Sequence, residues 1–462
     1  MMRRLPYASL LALALLGGCA VGPDYQRPDA NLPENYRTVP QAAAAQPSLG
    51  ELDWQAVFAD PPLQKLIEEA LAAGPDALLA AARVREAEAM AGIARAPLFP
   101  QAQLSLNTSA TARAPGDQYT STFLGGAGIS WEIDLWGRYR RANEAARADL
   151  LASEESLHGM RASLVGSVAT YYYQLASLRE IQAVTQRSAD NQREVLRLVK
   201  RLSAAGISSA AEERQQESAL GATEARLPAL RRQIAETENA LSILIGRHPG
   251  AIPFETPPSL VIPNLAPPGL PSALLERRPD IRRAEAGLVA ANARVGEAKA
   301  LFFPSLSLTA IFGGVSTSLS DVLNGRAPAV ASVGPGLLQP LFAGGRIYFN
   351  REATLARLDQ ALITYRKTIL GALGEVADSL TGFETTAEAM EIQARRVESS
   401  REAMRLADLR FRAGTTSFLE VLDAQRQLLS AETDQAQSLL DRRTALIRLY
   451  LALGGGWQET AR

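Results

Sequence analysis

The chain has 462 residues, a formal net charge of −1, 21% charged residues and a single cysteine. Charges of both signs spread along the chain create no basic field for nucleic acid, and one cysteine excludes an internal disulfide. The two histidines, His158 and His248, have no cysteine partner and no repeated spacing to carboxylates, so they do not compose a metal site.

Residues 1–18 read as a signal peptide rather than as fold. Met1-Met2-Arg3-Arg4 precedes an apolar stretch from Leu5 to Leu16, broken only by Pro6, Tyr7 and Ser9. That stretch is shorter than the roughly 20 residues a spanning helix needs. Leu16-Gly17-Gly18-Cys19 then reads as a lipobox. Cleavage before Cys19 would free its amino group for N-acylation and place S-diacylglycerol on its sulfur, giving two or three chains where one holds only marginally. Ala20, not Asp, follows the cysteine, so sorting to the outer membrane is the default. Loss of Arg3 and Arg4 takes the formal charge from −1 to −3. What remains contains no run of about 18 apolar residues, so membrane contact falls to strands or to the lipid.

The mature sequence repeats itself. Pro75-Asp76 matches Pro279-Asp280, and Leu98-Phe99-Pro100 matches Phe302-Phe303-Pro304, both at an offset of 204. Gly137-Arg138 matches Gly345-Arg346, Glu144-Ala145 matches Glu352-Ala353, and Ala205-Gly206 matches Ala413-Gly414, all at an offset of 208. Register held over such lengths indicates a tandem duplication. The expected organisation is an N-terminal segment 19–62, a first copy 63–246, a proline-rich linker 247–271, a second copy 272–455 and a tail 456–462.

Each copy changes texture in the same order. Residues 63–96 are rich in Ala, Leu, Glu and Arg and favour helix. Period-two alternation follows, with Leu104, Leu106, Thr108 and Ala110 in copy one and Leu306, Leu308, Ala310 and Phe312 in copy two. These are strands with one apolar face. A turn at Ala114 to Gln118 or Ser316 to Pro328 leads to a second strand, giving hairpins at about 101–135 and 305–340, each strand long enough to cross a tilted barrel wall. Proline-free helical patterns then run from Tyr139 to Leu202 and from Ile347 to Arg412, and each returns after Gly206 or Gly414. Such coiled-coil-like hairpins exceed what a compact domain needs.

Four membrane-length strands cannot close a barrel, because the smallest have about eight and an open edge in lipid leaves backbone groups unsatisfied. Two chains would supply eight strands and a lumen filled by side chains, whereas three would supply twelve and leave room for a channel.

These residues resemble the TolC-like outer-membrane factors, specifically the lipoprotein branch of RND-type tripartite multidrug efflux systems. The resemblance covers essentially the whole mature chain. It rests on Cys19 to Tyr25 with Arg27-Pro28, Trp54 to Leu63, Trp131 to Arg138 with Arg141 to Glu144, Pro340 to Arg346, Phe411 to Gly414, and Leu449 to Trp457. It implies a mixed α+β membrane protein: a homotrimer with a twelve-stranded β-barrel, four strands per chain, and a long periplasmic α-helical barrel. It also implies an equatorial collar, a periplasmic adaptor (membrane fusion protein) and an inner-membrane RND-type pump as partners, no enzymatic activity, and no cofactor beyond the lipid on Cys19. The hairpin tips would close the periplasmic mouth and dock the adaptor. Matching tip residues are Gly414, Thr415, Leu419, Asp423 and Arg426 in copy two, and Gly206, Ser209 and Glu212 in copy one. Leu419, Asp423 and Arg426 stand at i, i+4 and i+7, on one helical face. Glu213 and Arg214 depart from the family, which usually places apolar residues there.

Other signals carry less. Gly125-Gly126-Ala127-Gly128 lies inside a strand with no helix N-terminus behind it, so it reads as small strand residues rather than a phosphate loop. Tyr171-Tyr172-Tyr173 point in different directions on a helix and read as packing. The leading function is passive conduction of drugs or small solutes across the outer membrane. A type I protein-secretion duct shares the fold, and a structural envelope-tethering lipoprotein is the reading from another class.

Overall fold

The computed structural model describes residues 20–30, 32–33, 36, 48–111, 119–253 and 271–457. Residues 1–18 and Cys19, the first hairpin turn, most of the proline-rich linker and the last five residues lie outside the described residues. Two compact units emerge, and each draws on both halves of the chain. Unit 1 comprises Met1–Ala30, Arg83–Glu154 and Arg283–Thr368; unit 2 comprises Asn31–Ala82, Glu155–Arg282 and Ile369–Arg462.

The element order is α1 (Pro61–Ala73), α2 (Pro75–Arg95), β1 (Gln101–Thr111), β2 (Thr120–Ile133), α3 (Arg138–Ala204), α4 (Ala210–Glu224) and α5 (Arg226–Leu244). It continues with α6 (Pro279–Ala300), β3 (Ser305–Ser316), α7 (Leu319–Leu323), β4 (Ala329–Leu338), α8 (Arg346–Arg412) and α9 (Phe418–Ala452). Helices α3 and α8 are both 67 residues long, roughly 100 Å of helix at about 1.5 Å per residue. No helix among the described residues is long and apolar enough to cross a membrane.

Three elements differ from the sequence expectation, each for a local reason. The helix expected over 63–96 breaks at Gly74, whose extended backbone (ψ 131) ends α1 before Pro75 opens α2; a residue before proline is pushed out of the α region. The return helix of copy one breaks at Ala225. Pro228 sits three residues on, lacks an amide and clashes with a carbonyl four residues back, so it fits only in the first turn of a new helix. The turn expected over 316–328 contains the short helix α7.

Unit 1 is organised by a four-stranded antiparallel sheet in the order β1-β2-β3-β4. Its register aligns Leu104 with Ala127, Phe312 and Ala331, and Ala102 with Ile129, Ala310 and Val333. Because side chains alternate between faces, one face collects Leu104, Leu106, Phe123, Ile129, Trp131, Leu306, Leu308, Phe312, Val333 and Leu337. The other collects Gln101, Gln103, Ser105, Asn107, Thr122, Ser130, Glu132, Ser307, Thr309 and Ser332, with Leu124, Ile311, Val315, Val330 and Leu338 among them. The apolar face is open, with Leu104 at 86% and Val333 at 77% exposure.

Glycines bring β2 and β3 close together on the polar side of this sheet. Gly125 pairs with Gly314 and Gly126 with Gly313. A Cβ on Gly126 would lie 2.5 Å from the carbonyl oxygen of Phe312, and one on Gly313 would lie 2.2 Å from that of Gly125. Only residues without side chains let two backbones close this far.

The N-terminal segment of unit 1 is strapped to α6 and to the start of α3. Arg27 donates to both oxygens of Glu285 at 2.6 and 2.8 Å, Asn292 donates to the Pro23 carbonyl at 2.9 Å, and Arg141 donates to Asp24 at 2.7 Å. Ala20 lies against Gly137, where an added Cβ would stand 2.7 Å from the alanine methyl.

Unit 2 is helical and has a continuous core. Phe58 meets Tyr450 edge-on at 5.8 Å, and Tyr450 donates to the Leu52 carbonyl at 2.8 Å. Tyr172 and Tyr173 are buried: the first donates to Asp60 at 3.1 Å, the second lies under the Arg443 guanidinium. The tyrosine run is packing. Arg278, also buried, joins Asp280, Glu375 and the Ala452 carbonyl. Burial works against the charge on Asp280, and the Arg278 guanidinium outweighs it, holding the carboxyl below its usual range.

Candidate gate at the helical-hairpin tips

Both helical hairpins of unit 2 turn by the same device. At the α3–α4 tip, Gly206 adopts φ +74, its amide donates to the Ser203 carbonyl at 3.0 Å, and the Ile207 amide reaches back to Leu202 at 2.9 Å. At the α8–α9 tip, Gly414 adopts φ +70, its amide donates to Phe411 at 2.9 Å, and the Thr415 amide donates to Arg410 at 2.9 Å. This is the reversal in which a glycine in the left-handed region satisfies the last carbonyls of a helix. The Thr415 hydroxyl adds a second bond to the Arg410 carbonyl at 3.0 Å. Gly206, Gly414 and Thr415 are thus the turns themselves.

The return helices start on matching polar groups used differently. Ser209 is the N-cap of α4: its hydroxyl accepts from the Glu212 amide at 3.2 Å, and the Glu212 carboxylate accepts from the Ser209 amide at 3.0 Å. The Ser208 hydroxyl also donates to Glu212, and together these bonds hold its carboxyl below the ordinary glutamate value. Its carboxylate is engaged in the capping box. The residue 208 positions on is Glu420, which sequence reasoning passed over. It accepts from the Thr416 hydroxyl and, at 2.7 Å, from Arg410 across the hairpin. The signal was available in the offset, since Ser208-Ser209 and Glu212 align with Thr416-Ser417 and Glu420.

Leu419, Asp423 and Arg426 share the outer face of α9. Leu419 is 58% exposed, and Arg426 donates to Asp423 at 2.5 Å with Gln427 as a second donor to the same carboxylate. The opposite face of α9 carries the tip core: Phe418, Val421 and Ala424 pack with Ala407 of α8 and Val199 of α3, and Phe411 contacts Phe418 at 5.2 Å. The two hairpins are therefore joined by one apolar cluster. Copy one lacks its own version, because Glu213 and Arg214 stand where copy two has Val421 and Leu422. Arg214 instead pairs with Glu217 at 2.7 Å, as does Lys200 at the same distance. The first tip is a charged surface, and the second is anchored by a core behind a polar face.

Among the described residues there is no group of three or more His, Cys, Asp or Glu side chains arranged to hold a metal. Cys19 lies outside the described residues. A sequence model of the family described as outer membrane efflux protein matches residues 66–247 and 270–455. This chain is a member of the outer membrane efflux protein family. It is 36% identical to the pyoverdine export outer membrane protein OpmQ of Pseudomonas aeruginosa, over 97% of this chain and 96% of that protein. It is 32% identical to the cation efflux system protein CusC of Escherichia coli, over 98% and 99%. Among solved structures, the outer-membrane channel OprN superposes with a TM-score of 0.85 at 31% identity, covering 96% of this chain and all of that one. The open state of the MtrE outer membrane channel of Neisseria gonorrhoeae gives 0.84 at 30%, covering 95% and 99%. The efflux family member described here is an outer-membrane transport component, and the resemblance read from its motifs holds along the chain.

Proposed function

We propose that three copies of this chain form a passive outer-membrane exit duct that receives drugs or small solutes from a periplasmic adaptor and an inner-membrane RND-type pump. The carrying observation is the sorting of side chains by the sheet register into a mainly apolar face and a face rich in polar residues, with β1 and β4 at the edges; we read the close glycine approach on the polar side as curvature that makes the apolar face convex. An apolar face of this extent meets lipid rather than water, and a polar concave face suits a water-filled lumen. Pairing β4 of each copy with β1 of the next closes a twelve-stranded barrel and leaves no edge in the bilayer. Tyr119 lies directly ahead of β2, and Trp131, twelve residues along the chain, stands on the apolar face. That is about 40 Å along the strand, which at the usual tilt of about 40° spans the membrane with an aromatic residue at each interface.

The helical hairpins then stand in the periplasm, with Gly206, Ser209, Glu212, Gly414, Thr415, Leu419, Asp423 and Arg426 at the mouth. Asp423 and Arg426 gate it in our reading: three exposed pairs around an axis repel or tether according to how each arginine is shared. Glu212 and Ser209 hold the shape of the first tip, whose charged surface offers the adaptor a docking site. The doubled order of elements reflects a tandem duplication, which gives each chain two hairpins of each kind. Lipidation of Cys19 fits the placement of Ala20 beside Gly137, next to the membrane end of α3. Energy comes from the inner-membrane partner, since passive conduction needs no catalytic group. Native mass spectrometry of detergent-extracted protein tests the assembly: three copies are expected, and a monomer or dimer as the largest folded species would contradict it.

A further inference from the structure

The β3–β4 connection carries an amphipathic feature that a duct does not need. In α7, Leu319, Val322 and Leu323 fall at i, i+3 and i+4, hence on one helical face. A Cβ added to Gly125 would lie 2.5 Å from Val322 Cγ1 and 3.3 Å from Leu106 Cδ1, so α7 rests on the apolar, convex side of the sheet. It does so at the end of the sheet away from α3 and α6. Leu323 is nevertheless 68% exposed, and Leu319 is exposed as well. Two leucines left bare beside an already apolar face extend that face over the rim.

The chain then reverses at Gly325, φ +67, with the amides of Arg326 and Ala327 both donating to the Asp321 carbonyl at 2.8 and 3.0 Å. This brings the exposed Arg326 back beside the C-terminal end of α7. The nearby Asp321 carboxylate accepts from the Ser316 hydroxyl at 3.2 Å, and Arg326 forms no ion pair among the described residues. An exposed cation thus follows the last residue of α7 by three positions, on a turn tied to the helix backbone.

We infer that α7 and Arg326 dock a membrane lipid with an anionic phosphate-monoester headgroup, in preference to a zwitterionic phospholipid, at the outer rim of the sheet. Leu319 and Leu323 enter the acyl boundary, as an interfacial helix does, and the Arg326 guanidinium takes the headgroup phosphate by paired charge-assisted bonds. Continuity with the lipid-facing sheet selects a lipid phosphate over an acidic protein, since the sign of the charge suits either. The inference rests on the reading that the convex face meets lipid.

The test uses the full chain in phosphatidylcholine vesicles with or without diphosphorylated lipid A. Fluorophores at Val333→Cys on the sheet and Leu323→Cys on α7 are exposed to lipids with nitroxides near the headgroup. Native mass spectrometry counts lipid A retained after detergent extraction by wild type, Arg326→Gln and Leu323→Ser. Both fluorophores should be quenched, and retention should fall about fivefold in Arg326→Gln, one cation's share of surface attraction, without competition from inorganic phosphate. Quenching at Val333→Cys but not Leu323→Cys, unchanged retention in Arg326→Gln, or displacement by inorganic phosphate overturns the docking surface and leaves the duct intact. No quenching at either position overturns the lipid-facing reading beneath it.

Discussion

Gly126 and Gly313 face each other across the β2–β3 ladder so closely that a Cβ on Gly126 would stand 2.6 Å from the Gly313 Cα. So close an approach on the polar side suits the curvature that the proposed barrel wall needs. Gly126→Val or Gly313→Val should block closure, because the clash is with backbone and cannot be relieved by a rotamer change. The expected result is loss of the oligomer on unheated SDS gels, with helical content by circular dichroism retained. Gly221→Ala, in open space on α4, serves as the control and should assemble normally.

At the first tip, Ser209→Ala removes an N-cap hydroxyl and should cost about 1 kcal/mol of local helix stability. Hydrogen exchange at the amides of 210–213 should accelerate while the middle of α3 is unchanged. The same segment should respond to acid. The folded-state pKa of Glu212 lies below its ordinary value, so its contribution is fully present above the ordinary glutamate range and is lost as pH falls through the lowered folded value. Exchange at this tip measured from pH 6 down to pH 3 should rise relative to that of the Glu212→Ala variant, which has no carboxylate to lose.

In unit 2, Arg278→Ala would leave Asp280 and the Ala452 carbonyl without the guanidinium that now joins them. Breaking a buried ion pair from one side costs about 3–5 kcal/mol, discounted here because Glu375 is largely in solvent. A loss of about 2–3 kcal/mol is expected. Arg278→Lys should recover only part of it, since one ammonium cannot reach the three acceptors of a planar fork. Thermal unfolding followed by circular dichroism reads both.

Much of this architecture was legible because it rests on periodicity. Leu104, Leu106, Leu306 and Leu308 announce an apolar strand face by alternation, and Gly206 and Gly414 announce the hairpin tips by interrupting long helical patterns. What escaped was short or tertiary. Helix α7 has five residues, too few for a helical period to register, and its Leu319 and Leu323 make sense only against a sheet whose register is known. The break at Ala225 follows from Pro228, a local signal inside a pattern otherwise read as continuous. Glu212, read as an acidic tip residue, also partners Ser209 in a capping box, and its counterpart Glu420 becomes visible when the repeat offset is carried residue by residue. The glycines at 125 and 126 read as small strand residues; the backbone contact of Gly126 with Phe312 and Gly313 supplies a reason for that choice.

The central claim is that the assembled chain conducts and that its second tip controls conduction. Single-channel recording in planar bilayers compares wild type with the Asp423→Ala/Arg426→Ala double variant. Wild type should give small, rarely open events, and the double variant a larger and more frequently open conductance, because the exposed pair at 2.5 Å is the contact removed. Identical conductance in both would remove the gate from the account, and absence of conductance from well-folded oligomers would contradict the duct itself.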